Sequence, residues 1–182
     1  MRKVAAEERA GLGLSRLAPL DPYLLAEEHG IRVYPIDELG DCAQANAAIR
    51  YYTSVRSKIW SAAIIPVGNS RIIIENTAHS EARRCASLAH ELAHHLLEHE
   101  FAELLLGEDG CRHFDPAKEK EAKYLSGQLL IPDEAAKRAA FDNKTNAQVA
   151  ETYGVSEQFA QMRMSGVRVM AQHALAKQAR FR

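Results

Sequence analysis

His90-Glu91-Leu92-Ala93-His94 is the stretch whose reading decides the fold. On a helix, residues four apart lie on one face, so the two imidazoles point the same way. Two imidazoles so placed can grip one divalent ion, while the Glu between them reaches a water beside it. The flanking pattern is helical. Cys85, Ala89, Leu92 and Leu96 form an apolar stripe, which Leu88, Ala93 and Leu97 widen, and the histidines occupy a separate edge. Ser80 is the candidate N-cap.

Downstream, Phe101–Leu106 reads as a second short segment ending at Gly107, and Glu108–Phe114 as a loop. Asp115-Pro116 opens another helix, which runs to Leu130 and is stopped by Pro132. Upstream the chain alternates. Asp21-Pro22 starts a short helix to about His29, with Gly30 as its stop, and Ile31–Tyr34 is a strand closed by Pro35. Ala48–Thr53 is expected as another strand, and Trp60–Val67 and Arg71–Glu75 as a hairpin around Gly68-Asn69-Ser70. Such a strand beside a metal site can take a peptide by edge pairing, although an ordinary core pair fits the pattern equally well.

After Pro132 the pattern is helical throughout. Thr145 to Gln148 is a capping box, Gly154-Val155-Ser156 a tight turn with Ser156 as the next N-cap, and Val167–Ala179 a last helix. Residues 149–160 resemble a helix-turn-helix, and the basic residues are concentrated from Lys137 onward. A DNA reader needs basic or amide side chains where the second helix begins, yet Glu157 stands there with Gln158 as the lone base reader. Direct DNA binding is therefore the disfavoured reading, and a helical module packed on the core is preferred. Residues 1–17 read as a flexible lead-in, residues 18–132 as the metal-site domain and residues 133–182 as the helical module.

The bulk numbers fit one medium domain with an appendage. The chain has 182 residues, 47% hydrophobic and 26% charged, with a net charge of −1 that gives no global footprint for nucleic acid. Cys42, Cys85 and Cys111 are odd in number and lack C-x-x-C spacing, which points to a reducing cytoplasm. Cys85 is expected to pack as a small apolar residue, and Cys111 and His113 to lie in a plain loop. Neither a signal peptide nor a membrane-spanning run is legible.

Two histidines do not complete a catalytic zinc site, which takes three protein ligands and leaves a position open. The H-E-x-x-H-x-x-G-x-x-H arrangement is excluded because Leu97 and Glu100 occupy the Gly and final His positions. A gluzincin takes its third ligand, a Glu, from a later helix. Here the chain resembles the ImmA/IrrE family of metallopeptidases. That family pairs H-E-x-x-H with a downstream E-A-N-x-F-A-A-x-L-L-M-P, and this chain has Glu121-Ala122-Lys123-Tyr124-Leu125-Ser126-Gly127-Gln128-Leu129-Leu130-Ile131-Pro132. Lys123 departs from the usual Asn, Leu125 stands for Phe and Ile131 for Met. The resemblance spans about residues 20 to 165.

The resemblance implies an α+β, zincin-like core with a small antiparallel or mixed sheet, followed by helix-turn-helix-like C-terminal helices. It implies His90, His94 and Glu121 as ligands, with Glu119 the nearest competitor, and Glu91 as the general base. The small pair Ser126-Gly127 is expected to let this helix approach the motif helix. Tyr124, His99 and His113 are the candidates for stabilising the oxyanion. Zinc is the expected ion, although a set of two His and one Glu also accepts manganese, cobalt or iron. The implied substrate is a helix-turn-helix repressor of the XRE type, whose cleavage derepresses stress, prophage or mobile-element genes. The rival is a non-catalytic zinc-binding regulator that binds a repressor or DNA. Glu91 speaks against it, because a structural site needs no base and uses four protein ligands. The protease half of a toxin–antitoxin-like pair is a third reading.

Overall fold

The computed structural model describes residues 1–99 and 115–179. The expected segment Phe101–Leu106, the loop to Phe114, Cys111 and His113 lie outside the described residues. Among the described residues the helices are α1 (Arg2–Gly11), α2 (Pro22–Glu28), α3 (Ala43–Arg50), α4 (Glu81–Leu96), α5 (Pro116–Leu130), α6 (Asp133–Phe141), α7 (Asn146–Tyr153) and α8 (Glu157–Ala179), and the strands are β1 (Arg32–Pro35), β2 (Ala62–Val67) and β3 (Ser70–Glu75).

The strands form one mixed sheet in the order β1-β3-β2, with β1 parallel and β2 antiparallel to β3. Gly68 supplies the positive φ of 58° that the two-residue turn between β2 and β3 requires, and Ser70 already belongs to β3. Helix α4 packs on this sheet and pairs with α5. Leu88, Leu92, Leu125, Leu129, Ile64 and Ile73 are fully buried in the shared core. Each such side chain contributes about 1.5–3 kcal/mol. The α+β class with a small mixed sheet and a motif-helix pair is therefore as expected.

The caps explain why the elements start where they do. The Asp21 carboxylate accepts from Tyr23 N, and that of Asp115 from Ala117 N, each at 2.8 Å and each ahead of a proline in the first turn. Thr145 and Gln148 form a reciprocal capping box. Ser156 Oγ accepts from Phe159 N at the start of α8.

Three expectations are corrected. Residues 48–53 are not a strand: α3 runs through Arg50 and continues as a π-turn over Tyr51–Val55. The Ala-rich run from Ala43, capped by Cys42 Sγ, outweighs the β-preference of Tyr51, Tyr52 and Thr53. Residues 1–17 contain α1, which docks on α5 through buried Ala5 and Arg9. The last helix begins at Glu157, not Val167, so α8 is a single 23-residue helix packed on α6 and α7. Among the described residues, no helix is long and apolar enough to cross a membrane.

Candidate metal centre

Helix α4 presents His90 and His94 on one edge, their rings 4.8 Å apart in a T-shaped arrangement. Their Nε2 atoms converge to 3.2 Å. The carboxylate that closes the triangle comes from Glu119, in the first turn of α5. Its Oε2 lies 3.1 Å from His90 Nε2 and its Oε1 3.3 Å from His94 Nε2. A tetrahedral zinc with bonds near 2.0–2.1 Å separates its ligand atoms by about 3.3 Å. The two imidazoles meet different oxygens of the one carboxylate, and one donor atom from each of the three residues lies within 4.8 Å of the others, near enough to share a divalent ion that takes such donors. Glu119 and His90 are partly exposed, so the centre opens to solvent.

Glu91 follows His90 on α4 and is buried against the sheet. Its Oε2 accepts the Ile64 N–H at 3.0 Å. In an antiparallel pair, alternate residues turn their N–H out of the ladder, and β2 is the edge strand, so this bond ties the carboxylate to the sheet edge. Pro66, two residues on and in the same outward row, brings no N–H.

Glu121, the resemblance's choice for third ligand, does not join the triangle. Its Oε2 lies 3.2 Å from His99 Nε2. His99 is buried, and its Nδ1 lies 2.9 Å from His94 Nδ1. Tyr124 is turned toward α1, where its hydroxyl accepts from Arg2 Nε at 2.8 Å. His113 lies outside the described residues. His95 is half-buried against the Arg71 guanidinium and the His29 ring. Burial, and then the neighbouring Arg71 charge, lower its pKa. Cys85 is half-buried, and burial pushes its thiol pKa up, in keeping with a packing role.

Two residues that sequence reading passed over hold the centre in place. Glu75, buried at the end of β3, accepts from Tyr23 at 2.7 Å and pairs with Arg84 at 2.6 Å, fixing the first turn of α4. Asn76, fully buried, donates from Nδ2 to Tyr52 O at 2.9 Å and Trp60 O at 3.0 Å, pinning the chain that leads into β2. Their signal in sequence is faint: a polar pair directly after an apolar strand. Gly127 does not serve the α4 approach either. A Cβ there would come within 3.2 Å of Arg163 Cδ, so the glycine makes room for α8.

No curated protein and no solved structure matches the chain. The family Peptidase_M78, described as the IrrE N-terminal-like domain, matches residues 26–165, a span that contains the sheet, the motif helix and α5. With that match over most of its length, the chain belongs to the ImmA/IrrE family of peptidases.

Proposed function

We propose that this protein is a zinc-dependent endopeptidase whose ion is held by His90, His94 and Glu119 and whose general base is Glu91. The observation that carries the reading is the convergence of the His90 and His94 Nε2 atoms on each other and on the Glu119 carboxylate, one oxygen to each ring, with Glu91 beside them at the sheet edge. When bound, the ion supplies Lewis-acid polarisation of the scissile carbonyl and of the attacking water. The Glu91 carboxylate accepts the proton of that water and returns it to the leaving nitrogen. The Ile64 N–H holds that carboxylate in place between the two transfers. Edge strand β2 supplies backbone groups along which an extended peptide can lie.

Family membership supports one substrate class: a helix-turn-helix repressor of the XRE type, whose cleavage releases stress or mobile-element genes. The C-terminal helices fit this better than direct DNA reading, since exposed Glu157 opens α8 where a DNA reader carries cations. A regulator without catalysis has no use for a base at Glu91.

Glu91→Gln is expected to retain one equivalent of metal while kcat on a cognate repressor of the XRE type falls at least about 100-fold, the lower end for losing a general base. Metal content and a gel-based cleavage assay measure both. A Glu91→Gln protein that still cleaves, or still derepresses the target genes in cells, sinks the hydrolytic reading.

A further inference from the structure

A second chain of side chains runs outward from the metal centre. His94 Nδ1 lies 2.9 Å from His99 Nδ1, and His99 Nε2 lies 3.2 Å from Glu121 Oε2. The two rings stand 5.0 Å apart, edge to face. The series ends at the surface: the His94 and His99 side chains are 12% and 8% exposed, and that of Glu121 is 50% exposed.

One placement of protons suits the contacts just described. His94 directs Nε2 at the centre, so that atom must offer a lone pair and Nδ1 must carry the proton. His99 Nδ1 then accepts, which puts the His99 proton on Nε2, where it is donated to the Glu121 carboxylate. A histidine that binds a metal through one nitrogen is held by what its other nitrogen meets.

The backbone is shaped to bring His99 there. Helix α4 ends in a Schellman arrangement in which Glu98 N bonds His95 O at 3.0 Å and His99 N bonds His94 O at 3.1 Å. The left-handed position this turn needs is filled by Glu98, with φ of 53°, and not by the usual glycine. The motif commonly packs its last residue on an apolar neighbour one turn back, whereas here both positions are histidines.

We propose that His99 and Glu121 are positioning residues for His94, fixing its ring orientation and tautomer for the metal, and that Glu121 is not itself a ligand. This rests on the reading of Glu119 as third ligand. The test is zinc affinity of the purified full chain by competition with a chromogenic chelator, together with the visible spectrum of the cobalt-loaded protein. His99→Leu and Glu121→Ala should each still bind one ion, about 10–100-fold more weakly, with an altered cobalt spectrum. His99→Asn, which keeps an acceptor near the place of Nδ1, should recover most of the loss. Glu119→Ala should fail to hold the ion at all. Wild-type affinity and spectrum in both His99→Leu and Glu121→Ala, beside a metal-free Glu119→Ala, would overturn the positioning role alone. Retention of the ion in Glu119→Ala with its loss in Glu121→Ala would overturn the ligand reading beneath it. Should His99→Leu not fold, exposed Glu121→Ala decides the matter by the same two readouts.

Discussion

Glu98 is a single residue at which local geometry and side-chain chemistry disagree. A left-handed backbone costs a residue with a side chain about 1–2 kcal/mol, while a glycine loses roughly 0.5–1 kcal/mol more entropy on folding. Glu98→Gly should therefore stabilise the fold by about 0.5–1 kcal/mol, read as a higher urea midpoint with metal chelated. An unchanged or lower midpoint would show that the Glu98 φ of 53° carries no strain. Glu119 and Glu121 pose the other residue-scale question. Both stand in the first turns of α5, two positions apart and so on different sides of it. The family resemblance offers this pair as candidates for the third ligand. Which one meets the imidazoles depends on how α5 crosses α4, and that places Glu119 on the triangle and Glu121 on His99.

At the scale of elements, the motif helix depends on how its N-terminal end is anchored. Ser80 occupies the N-cap position without a side-chain cap bond, and the Glu75–Arg84 pair, joined by Tyr23, secures the first turn instead. The bond to Glu75 raises the Arg84 pKa, and burial followed by the Glu75 bond raises that of the Tyr23 hydroxyl, so the three form one charged network across α2, β3 and α4. Glu75→Ala should cost about 3 kcal/mol, the lower end for breaking a buried pair, because Arg84 keeps some contact with water. Denaturant unfolding measures it, and a loss under 1 kcal/mol would assign the anchoring elsewhere. Amphipathic periodicity made α4 and α5 legible, whereas the stretch over 48–53 misled. Its Ile49, Tyr51, Tyr52 and Thr53 are residues that strands favour, yet they end an Ala-rich helix whose start is marked by the cap at Cys42.

Across the whole molecule, the N-terminal segment ties the two ends of the fold together. Arg9, buried, donates to Leu129 O at 2.6 Å and to Ser15 and Ala18 carbonyls, and Tyr153 donates to Leu17 O at 2.9 Å. Asp133 gathers Gln128, Arg163 and Arg2 from three helices. Burial acts to raise its pKa, yet the Gln128 and Arg163 hydrogen bonds and the two Arg charges outweigh it and hold the carboxyl below its ordinary 3.8. A carboxyl depressed in the folded state contributes stability that is fully present well above 3.8 and is lost as pH falls through and below that value. The thermal midpoint of the chelated protein should therefore fall between pH 5 and pH 3, and Asp133→Asn should start lower and lose less over that window. Parallel pH profiles for the two proteins would remove Asp133 from the acid response.

The sequence by itself determined that a motif helix carries two histidines with a glutamate between them, that a second helix brings a carboxylate, that a hairpin precedes them, and that the chain resembles a peptidase family. These are local matters, set by periodicity, caps and spacing within single elements. Only the tertiary structure decided that Glu119 closes the triangle, that His99 and Glu121 line up behind His94, that Gly127 admits Arg163, and that residues 2–11 are a docked helix. Each of those depends on the angle and depth at which separate elements meet. That is fixed by the packing of buried side chains far apart in the chain, and no local pattern records it.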